Sequence, residues 1–202
     1  MSKNNKTKDL IFETAVKLIR ETGNLTLKDI SANAKVNIAA INYYFGDKET
    51  LIKEIIKSQL NKLKDAVEVF VDNLDTQLDY ETNVRKLIGY LYDFSLKNIG
   101  IINFIFSSGN EHIMELSIYQ YIHVVSLDKE FMDKLMKSMA KIRPSVNHLE
   151  CQVKFVQLIS TFAFPLLFEL NLSKIDIAFF NRVSEPKFRE KYIAQIAKTF
   201  FE

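Results

Sequence analysis

The stretch TLKDISANAKVNIAAINYYFGDKETL, residues 26–51, compresses two short helices, a tight turn and the start of a third helix into 26 positions. Thr26 and the acidic residue three positions later fit the Ser/Thr-x-x-Asp/Glu signature of a capped helix start. Asn37 is a favourable N-cap for the next helix. Gly46 predicts a left-handed residue that ends this second helix, and Asp47 predicts the cap of a long third helix.

The second helix of this stretch has two chemically different faces. Helical spacing places Val36, Ile41 and Phe45 on the inward face and Ile38, Ala39, Asn42 and Tyr43 on the outward face. Small residues near the start of the helix allow a close approach to base edges. Two helices joined by a short turn are typical of a helix-turn-helix whose second helix enters the major groove of DNA.

Residues 10–51 resemble the tetracycline-repressor (TetR) family of bacterial transcription regulators. The run INYYFGDKETL, residues 41–51, is the most diagnostic part, because its aromatic residues, its Lys and its Leu recur at this spacing in the family. Lys35 stands where Gly is usual, and a left-handed conformation there would cost a non-glycine residue about 1–2 kcal/mol. Asn42 stands where many members carry Tyr, so contacts attributed to that Tyr do not transfer unchanged.

The motif defines a candidate DNA-binding surface. We expect Thr26, at a helix start, and Lys48, at the front of the long helix, to bind phosphates. Asn37 and Asn42 are the polar candidates for reading bases, and the two tyrosines that follow Asn42 would pack on the sugar-phosphate backbone. The candidate DNA-binding residues are Thr26, Asn37, Ile38, Ala39, Ala40, Asn42, Tyr43, Tyr44 and Lys48.

Composition agrees with a globular regulator that resides in the cytoplasm. The chain has 202 residues, 48% apolar and 26% charged, with five Gly and three Pro, which suits helices better than a turn-rich β fold. One Cys excludes an intramolecular disulfide framework and fits a reducing compartment. No signal peptide or membrane-spanning run is recognisable. We therefore expect a cytoplasmic protein that has no membrane partner.

Net charge does not by itself indicate nucleic-acid binding. The formal balance is +2 for the whole chain, and residues 1–55 contain nine Lys or Arg against seven Asp or Glu. The DNA-binding hypothesis therefore rests on the motif. Lys3, Lys6 and Lys8 form a small basic arm that is either a disordered solubilising tail or a contact to phosphate or the minor groove.

Beyond the motif, apolar spacing predicts helices throughout, so the fold class is all-α. A long helix should run from Lys48 to about Leu74. Further helices are predicted near 83–98, at 101–106 between two glycines, at 111–125 and at 128–142. We predict two domains, an N-terminal three-helix helix-turn-helix domain at 1–47 and a helical effector-binding and dimerisation domain at 48–202.

The C-terminal region is the most apolar part of the chain. Residues 148–172 leave hardly any polar face, and a final helix is predicted with Ser184 as its cap and Pro186 in its first turn. Two such helices suggest a subunit interface, although burial inside the same protomer explains part of the pattern equally well. The resemblance implies a homodimer held by the last helices, with two recognition helices on one palindromic double-stranded DNA operator.

Aromatic residues are abundant, with 16 Phe and eight Tyr, and a Phe-rich helical domain can enclose an apolar cavity. Pro165 should kink the most apolar helix and open space beside it. The resemblance implies that this domain binds a small effector, here apolar or aromatic, although ordinary core packing explains each residue singly. The candidate ligand-binding residues are Tyr90, Phe94, Phe104, Phe106, Met114, Tyr119, Phe155 and Phe162.

Other chemistries have little support in the sequence. His148 and Cys151 are spaced like two metal ligands, but no second pair completes a site. No phosphate-binding glycine loop, nucleophile elbow or paired-carboxylate motif is present, so we expect neither an enzyme nor a resident cofactor. We therefore predict a ligand-responsive transcriptional repressor. An all-α small-molecule carrier, or a module that binds a protein partner and not DNA, remains the alternative.

Overall fold

The computed structural model describes residues 3–73, 78–107, 111–121, 128–142 and 183–199, together with residue 147 and helical residues at 149–150, 152–154, 156–157, 160–161, 165–166 and 169. No strand occurs in these ranges, which confirms the all-α prediction. The continuous helices are α1 (Lys3–Thr22), α2 (Leu27–Ala34), α3 (Ile38–Phe45), α4 (Lys48–Asp72), α5 (Tyr80–Lys97), α6 (Ile99–Ser107), α7 (Glu111–Tyr121), α8 (Lys129–Ile142) and α9 (Pro186–Thr199).

The chain packs as two compact units. The first comprises the described residues within Met1–Lys62 and Asn98–Leu127, and the second those within Leu63–Lys97 and Asp128–Glu202. The predicted functional boundary at residue 47 differs from this packing boundary, because the first turns of α4 belong to the core of the first unit. The functional division at residue 47 stays a prediction.

One hydrophobic core organises the first unit. It joins α1, α2 and α3 to the beginning of α4, and α6 and α7 add aliphatic and aromatic side chains to it. Its buried members are Ile11, Ala15, Val16, Ile19, Leu25, Ile30, Ile41, Phe45, Leu51, Ile52, Ile55, Ile56, Ile101, Phe104 and Ile113. The helix-turn-helix is therefore held by packing from outside the motif as well as from within it.

Helices α1 and α6 approach each other closely at Gly100. A Cβ atom on Gly100 would lie 2.1 Å from the backbone oxygen of Arg20, so only glycine fits this contact. Beside it, the guanidinium of Arg20 donates to Oδ1 of Asn98 over 3.1 Å. We predicted Gly100 as the boundary before α6, but the helix already begins at Ile99 and includes this glycine in its first turn.

In the second unit, ion pairs join the end of α4 to α8. Nζ of Lys64 donates to Oδ2 of Asp128 over 2.6 Å. Nζ of Lys134 lies 3.2 Å from Oε2 of Glu68 and 2.8 Å from Oδ2 of Asp72. Mutual hydrogen bonding lowers the pKa of Asp128 and raises that of Lys64, which is the behaviour of a stable ion pair.

The last helix packs against α5 within the same protomer. The ring of Tyr192 meets that of Tyr92 edge to face at 6.1 Å, and both hydroxyls donate to the backbone oxygen of Thr161. Burial raises the pKa of both tyrosines, so they stay protonated hydrogen-bond donors at neutral pH. Part of the apolar C-terminal pattern is therefore protomer core, as one of the two sequence interpretations held.

Most predicted helix starts agree with the structure, and one cap is corrected. Pro186 is the first residue of α9, as predicted. Ser184 does not cap this helix: its N–H donates to Oε2 of Glu169, and the carbonyl of Glu185 accepts the first helical bond. The predicted kink at Pro165 and the helix end at Pro144 fall on or beside residues that the structure does not describe.

Candidate nucleic-acid interface

Helix α3 has one buried and one exposed face, as predicted. Ile41 is fully buried and Phe45 is 3% exposed, so both anchor the helix in the core of the first unit. On the other face Asn42 is exposed and Tyr43 is 74% exposed. Of the remaining candidates on α3, Ile38 and Ala39 are exposed and Ala40 is half-buried. The outward face is accessible to a large partner and presents small side chains at its start.

Asn37 caps α3, and the cap uses part of its side chain. The N–H of Ala40 donates to Oδ1 of Asn37 over 2.7 Å. Because Oδ1 already accepts this hydrogen bond, the NH2 group of the Asn37 side chain is the part that could donate to DNA. Bidentate recognition of adenine requires both the oxygen and the NH2 of one amide. Asn42, whose side-chain amide has no hydrogen bond among the described residues, is therefore the better-suited base reader.

The turn between α2 and α3 is held in a strained but well-supported conformation. Lys35 adopts φ 53° and ψ 42°, the left-handed conformation that we predicted at this non-glycine position. Its N–H donates to the backbone oxygen of Ser31, and Oγ of Ser31 donates to the backbone oxygen of Val36 over 2.6 Å. These bonds offset the conformational cost of about 1–2 kcal/mol.

Thr26 caps α2 through a reciprocal pair of hydrogen bonds. The N–H of Asp29 donates to Oγ1 of Thr26 over 3.1 Å, and Oγ1 donates to Oδ2 of Asp29 over 2.6 Å. The Thr26 hydroxyl proton therefore points at a carboxylate, which a phosphate would have to displace. The backbone amides at the start of α2 remain the more direct phosphate donors.

Gly46 and Asp47 make the corner between α3 and α4. Gly46 has φ 79° and ψ −68°, so its φ is positive as predicted, but its ψ lies outside the left-handed helical region. The N–H of Thr50 donates to Oδ1 of Asp47 over 2.7 Å, and this bond lowers the pKa of Asp47. Helix α4 thus begins at Lys48, whose side chain is half-buried, with a capped N-terminus directly after α3.

The two tyrosines of α3 have different environments. Their rings meet edge to face with centroids 5.1 Å apart and an interplanar angle of 81°. Tyr44 is half-buried and packs against the first core, whereas Tyr43 projects into solvent. Tyr43 is therefore the better placed of the two to contact a DNA backbone.

The predicted basic arm is helical, because α1 already begins at Lys3. Nζ of Lys8 lies 3.5 Å from Oε2 of Glu54 and 5.1 Å from the ring centroid of Phe45. Lys8 of α1 thus contacts both the end of α3 and the beginning of α4. Lys6 is exposed.

Two exposed cations were missing from the predicted surface. Lys28 lies in the first turn of α2, and Lys35 forms the turn before α3. Their positions in the sequence could have indicated this role. Lys28 lies just after the predicted helix cap at Thr26, and Lys35 lies in the predicted turn between the two helices. Both are cations beside the backbone groups through which the motif would meet phosphates.

Comparison with known proteins assigns the motif to a family. The family described as "Bacterial regulatory proteins, tetR family" matches residues 11–55. The chain is similar to this family over these residues. This confirms the resemblance noted in the sequence, and the matched segment contains α2, α3 and the first turns of α4.

A curated relative is similar to part of the chain. The Bacillus subtilis (strain 168) protein named "Probable HTH-type transcriptional regulator YttP" is 30% identical over 101 residues, which are 43% of this chain and 49% of that protein. The match thus spans about half of the relative's length. That relative is named as a transcriptional regulator.

Two solved structures are similar to this chain over nearly its full length. A Mesorhizobium loti MAFF303099 protein assigned to the TetR family of transcriptional regulators has a TM-score of 0.70 at 13% identity, covering 100% of this chain and 98% of the other. RolR in complex with the ligand resorcinol has a TM-score of 0.59 at 16% identity, covering 98% and 88%. At these identities the likeness shows a shared fold.

The predicted ligand-binding residues do not gather in one described cavity. Phe104 is buried in the first core, and Met114 and Tyr119 of α7 are exposed, all in the first unit. Tyr90 and Phe94 lie on α5 of the second unit. The side chain of Phe106 and all of Phe155 and Phe162 lie outside the described residues. This set stays a prediction.

The second unit contains an open groove of about 520 Å³ beside the start of α9. Arg85, Phe188 and Lys191 are among its lining residues. The predicted ligand-binding residues whose side chains are described do not line it. Within the described ranges, no three His, Cys, Asp or Glu side chains cluster as metal ligands. None of the described helices combines the length and the apolar character needed to cross a membrane.

Proposed function

We propose that the chain is a cytoplasmic homodimeric transcriptional repressor that binds a palindromic operator and is released by a small, largely apolar effector. The observation that supports this proposal most directly is the exposed outer face of α3, followed at once by the capped N-terminus of α4. Such a recognition helix, anchored on its inner face by Ile41 and Phe45, can enter the major groove without disturbing its own core.

Contacts on the operator divide into two classes. Asn42 donates to and accepts from a base edge, while Ile38 and Ala39 contact thymine methyl groups. Lys48, the amides of the first turn of α4 and the exposed Lys28 bind phosphates. Asp47, which stays ionised because its pKa is lowered, keeps the first turn of α4 capped while those contacts form.

Dimerisation through the C-terminal region is supported by an exposed apolar stripe. Leu149, Val153 and Val156 are 70%, 48% and 63% exposed, at a spacing that aligns them on one helical face. Three large aliphatic side chains in solvent at this spacing are typical of a surface covered by a partner helix. A two-fold axis there would present two copies of α3 to two half-sites about 34–36 Å apart, or a multiple of that distance.

Release by a ligand would act through α4. This helix has residues in both compact units, and its first turn is part of the proposed phosphate contact. A ligand that displaces α4 would change the spacing of the two recognition helices. Linkage requires that the operator weaken ligand binding by the same factor by which the ligand weakens operator binding.

The test is selection of DNA fragments from the source genome by the purified protein, followed by affinity measurements against salt concentration. We expect a palindromic site bound with nanomolar affinity and a steep salt dependence. Weak retention without sequence preference would instead support the carrier or partner-binding alternative.

Three variants test the division of contacts. Lys48→Ala should weaken binding to operator and random DNA alike and reduce the salt slope by about 0.9. Asn42→Ala should mainly reduce discrimination between the two, by about 1–3 kcal/mol at one base pair. Lys57→Ala, an exposed lysine further along α4, is the matched control and should change neither quantity. If Asn42→Ala weakened binding to operator and random DNA equally, as Lys48→Ala should, the assignment would be contradicted.

A further inference from the structure

Gln59 of α4 has a buried side-chain amide without a hydrogen-bond partner. The residue is 8% exposed, and neither Nε2 nor Oε1 is bonded to any group of the protein. In the described part of the chain these are the buried side-chain polar atoms left unsatisfied. By contrast, Asn98 accepts from Arg20, and Ser117 donates to a backbone oxygen. An orphan amide in a protein interior is costly and calls for a specific explanation.

The turns of α4 that precede Gln59 are aliphatic on the buried side. Ile52, Ile55 and Ile56 are 3%, 1% and 3% exposed, and Leu60 packs against the same core. A Leu or Met side chain at this position would have similar size and would bury no amide. Folding of this chain therefore gains nothing from an amide here, whereas recognition of a ligand would, because ligand sites combine mostly apolar walls with a few well-placed polar groups.

We propose that Gln59 is the polar anchor of a small-molecule site in the same compact unit as the helix-turn-helix. This inference deepens the proposed function, since the molecule bound there would be the effector. The group recognised is neutral and both donates and accepts a hydrogen bond, as a carboxamide or a hydroxyl does. It pairs with Oε1 and Nε2 of Gln59 at once. A charged group would lose hydration beside Ile55 and Ile56, which offer no counter-charge.

The position of Gln59 links this site to the proposed DNA contact. Gln59 lies eleven residues after Lys48 on one continuous helix, which is about 16 Å along its axis. A molecule bound to Gln59 therefore acts on the helix whose first turn would hold a phosphate.

The experiment uses the full-length protein without DNA and two matched pairs of probes, benzamide with isopropylbenzene and phenol with toluene. Affinity is measured by calorimetry and by the melting temperature for the wild type, Gln59→Leu and Gln59→Met. Gln157→Leu, which removes an exposed glutamine, is the control. The side-chain NH2 resonance of Gln59, assigned by its loss in Gln59→Leu, reports contact directly.

We expect benzamide or phenol to bind the wild type more tightly than its hydrocarbon partner and to shift the Gln59 resonance. Both Gln59 variants should bind that probe about tenfold to one-hundredfold more weakly, should bind the hydrocarbons unchanged, and should melt at a higher temperature than the wild type. Gln157→Leu should bind every probe as the wild type does.

Three results would overturn the proposal. The first is a wild type for which neither polar probe exceeds its hydrocarbon. The second is equal affinity of the wild type and both variants for the polar probes. The third is a lower melting temperature of both variants, which would show that the amide is already satisfied by bound water. Failure to bind any operator would refute the regulatory role instead and would leave these three measurements unaffected.

Discussion

Replacing Gly100 by Ala should destabilise the first unit strongly, because the added methyl group meets backbone. The new Cβ would lie 2.1, 2.7 and 2.9 Å from the backbone O, C and Cα atoms of Arg20. Restoring an ordinary contact of 3.4 Å to the oxygen requires α1 and α6 to separate by about 1.3 Å, since a backbone atom cannot rotate away. Overpacking of this kind costs about 1–3 kcal/mol, and a backbone clash belongs at the upper end.

The chain offers a matched control for the same chemical change. Gly89 lies inside α5, and among the described residues a Cβ there would meet only Cδ1 of Ile193, at 3.9 Å. Gly89→Ala should therefore stabilise the protein by about 0.5–1 kcal/mol through helix propensity. The two substitutions thus have opposite predicted signs.

Urea denaturation followed by circular dichroism measures both effects. With a slope of about 2–3 kcal/mol per molar urea, Gly100→Ala should lower the midpoint by about 1 M, and Gly89→Ala should raise it slightly. A midpoint for Gly100→Ala that equals or exceeds that of Gly89→Ala would refute the close packing of α1 against α6.

Three further perturbations test local features. Gly46→Ala should cost about 1–3 kcal/mol in urea midpoint measurements, because the positive φ is unfavourable for alanine. No atom of the described residues lies within 4 Å of the new Cβ, so the cost is conformational. An unchanged midpoint would exclude the φ and ψ described. Asp128→Asn keeps a cap for α8 and loses only the charge pair with Lys64, so it should cost about 0.5–1 kcal/mol, whereas Asp128→Ala should cost about 1 kcal/mol more. The lowered pKa of Asp128 means that this charge contribution is present above its ordinary pKa and is lost as the pH falls through the lowered value. The pKa of His112 is raised chiefly by its hydrogen bond to Glu49. The contact between α7 and α4 should therefore weaken as the pH rises through that raised value, and an NMR titration midpoint at or below 6.5 would contradict it.

Features that depend on neighbouring residues in the chain could be predicted from the sequence. The caps at Thr26, Asn37 and Asp47 each involve a side chain and an amide three residues later, so their chemistry is visible in the order of residues. The two faces of α3 follow from helical periodicity and were correctly predicted. The left-handed Lys35 was anticipated from the resemblance, because the family usually has glycine at that position.

Features that depend on tertiary packing could not be predicted in this way. The need for glycine at position 100 follows from the close approach of the Arg20 backbone, eighty positions earlier in the chain. In the sequence, Gln59 is one polar residue among many on a long helix. The structure shows that its side-chain amide is buried and has no hydrogen-bond partner. The ψ of Gly46 is set by the exit from α3 into α4, whereas its residue type indicates only that φ can be positive.

Helix α4 has three chemically different segments, so their roles can be separated by mutation. Its first turn is held by Asp47 and would contact phosphate, its middle contains the unsatisfied amide of Gln59, and its last turns are ion-paired with α8 through Lys64 and Glu68. Because these segments use a cap, a buried amide and surface charges, each can be changed without altering the other two. A variant at Gln59 that keeps operator affinity but loses its response to a bound amide or alcohol would show that sensing and DNA binding are distinct properties of the same helix.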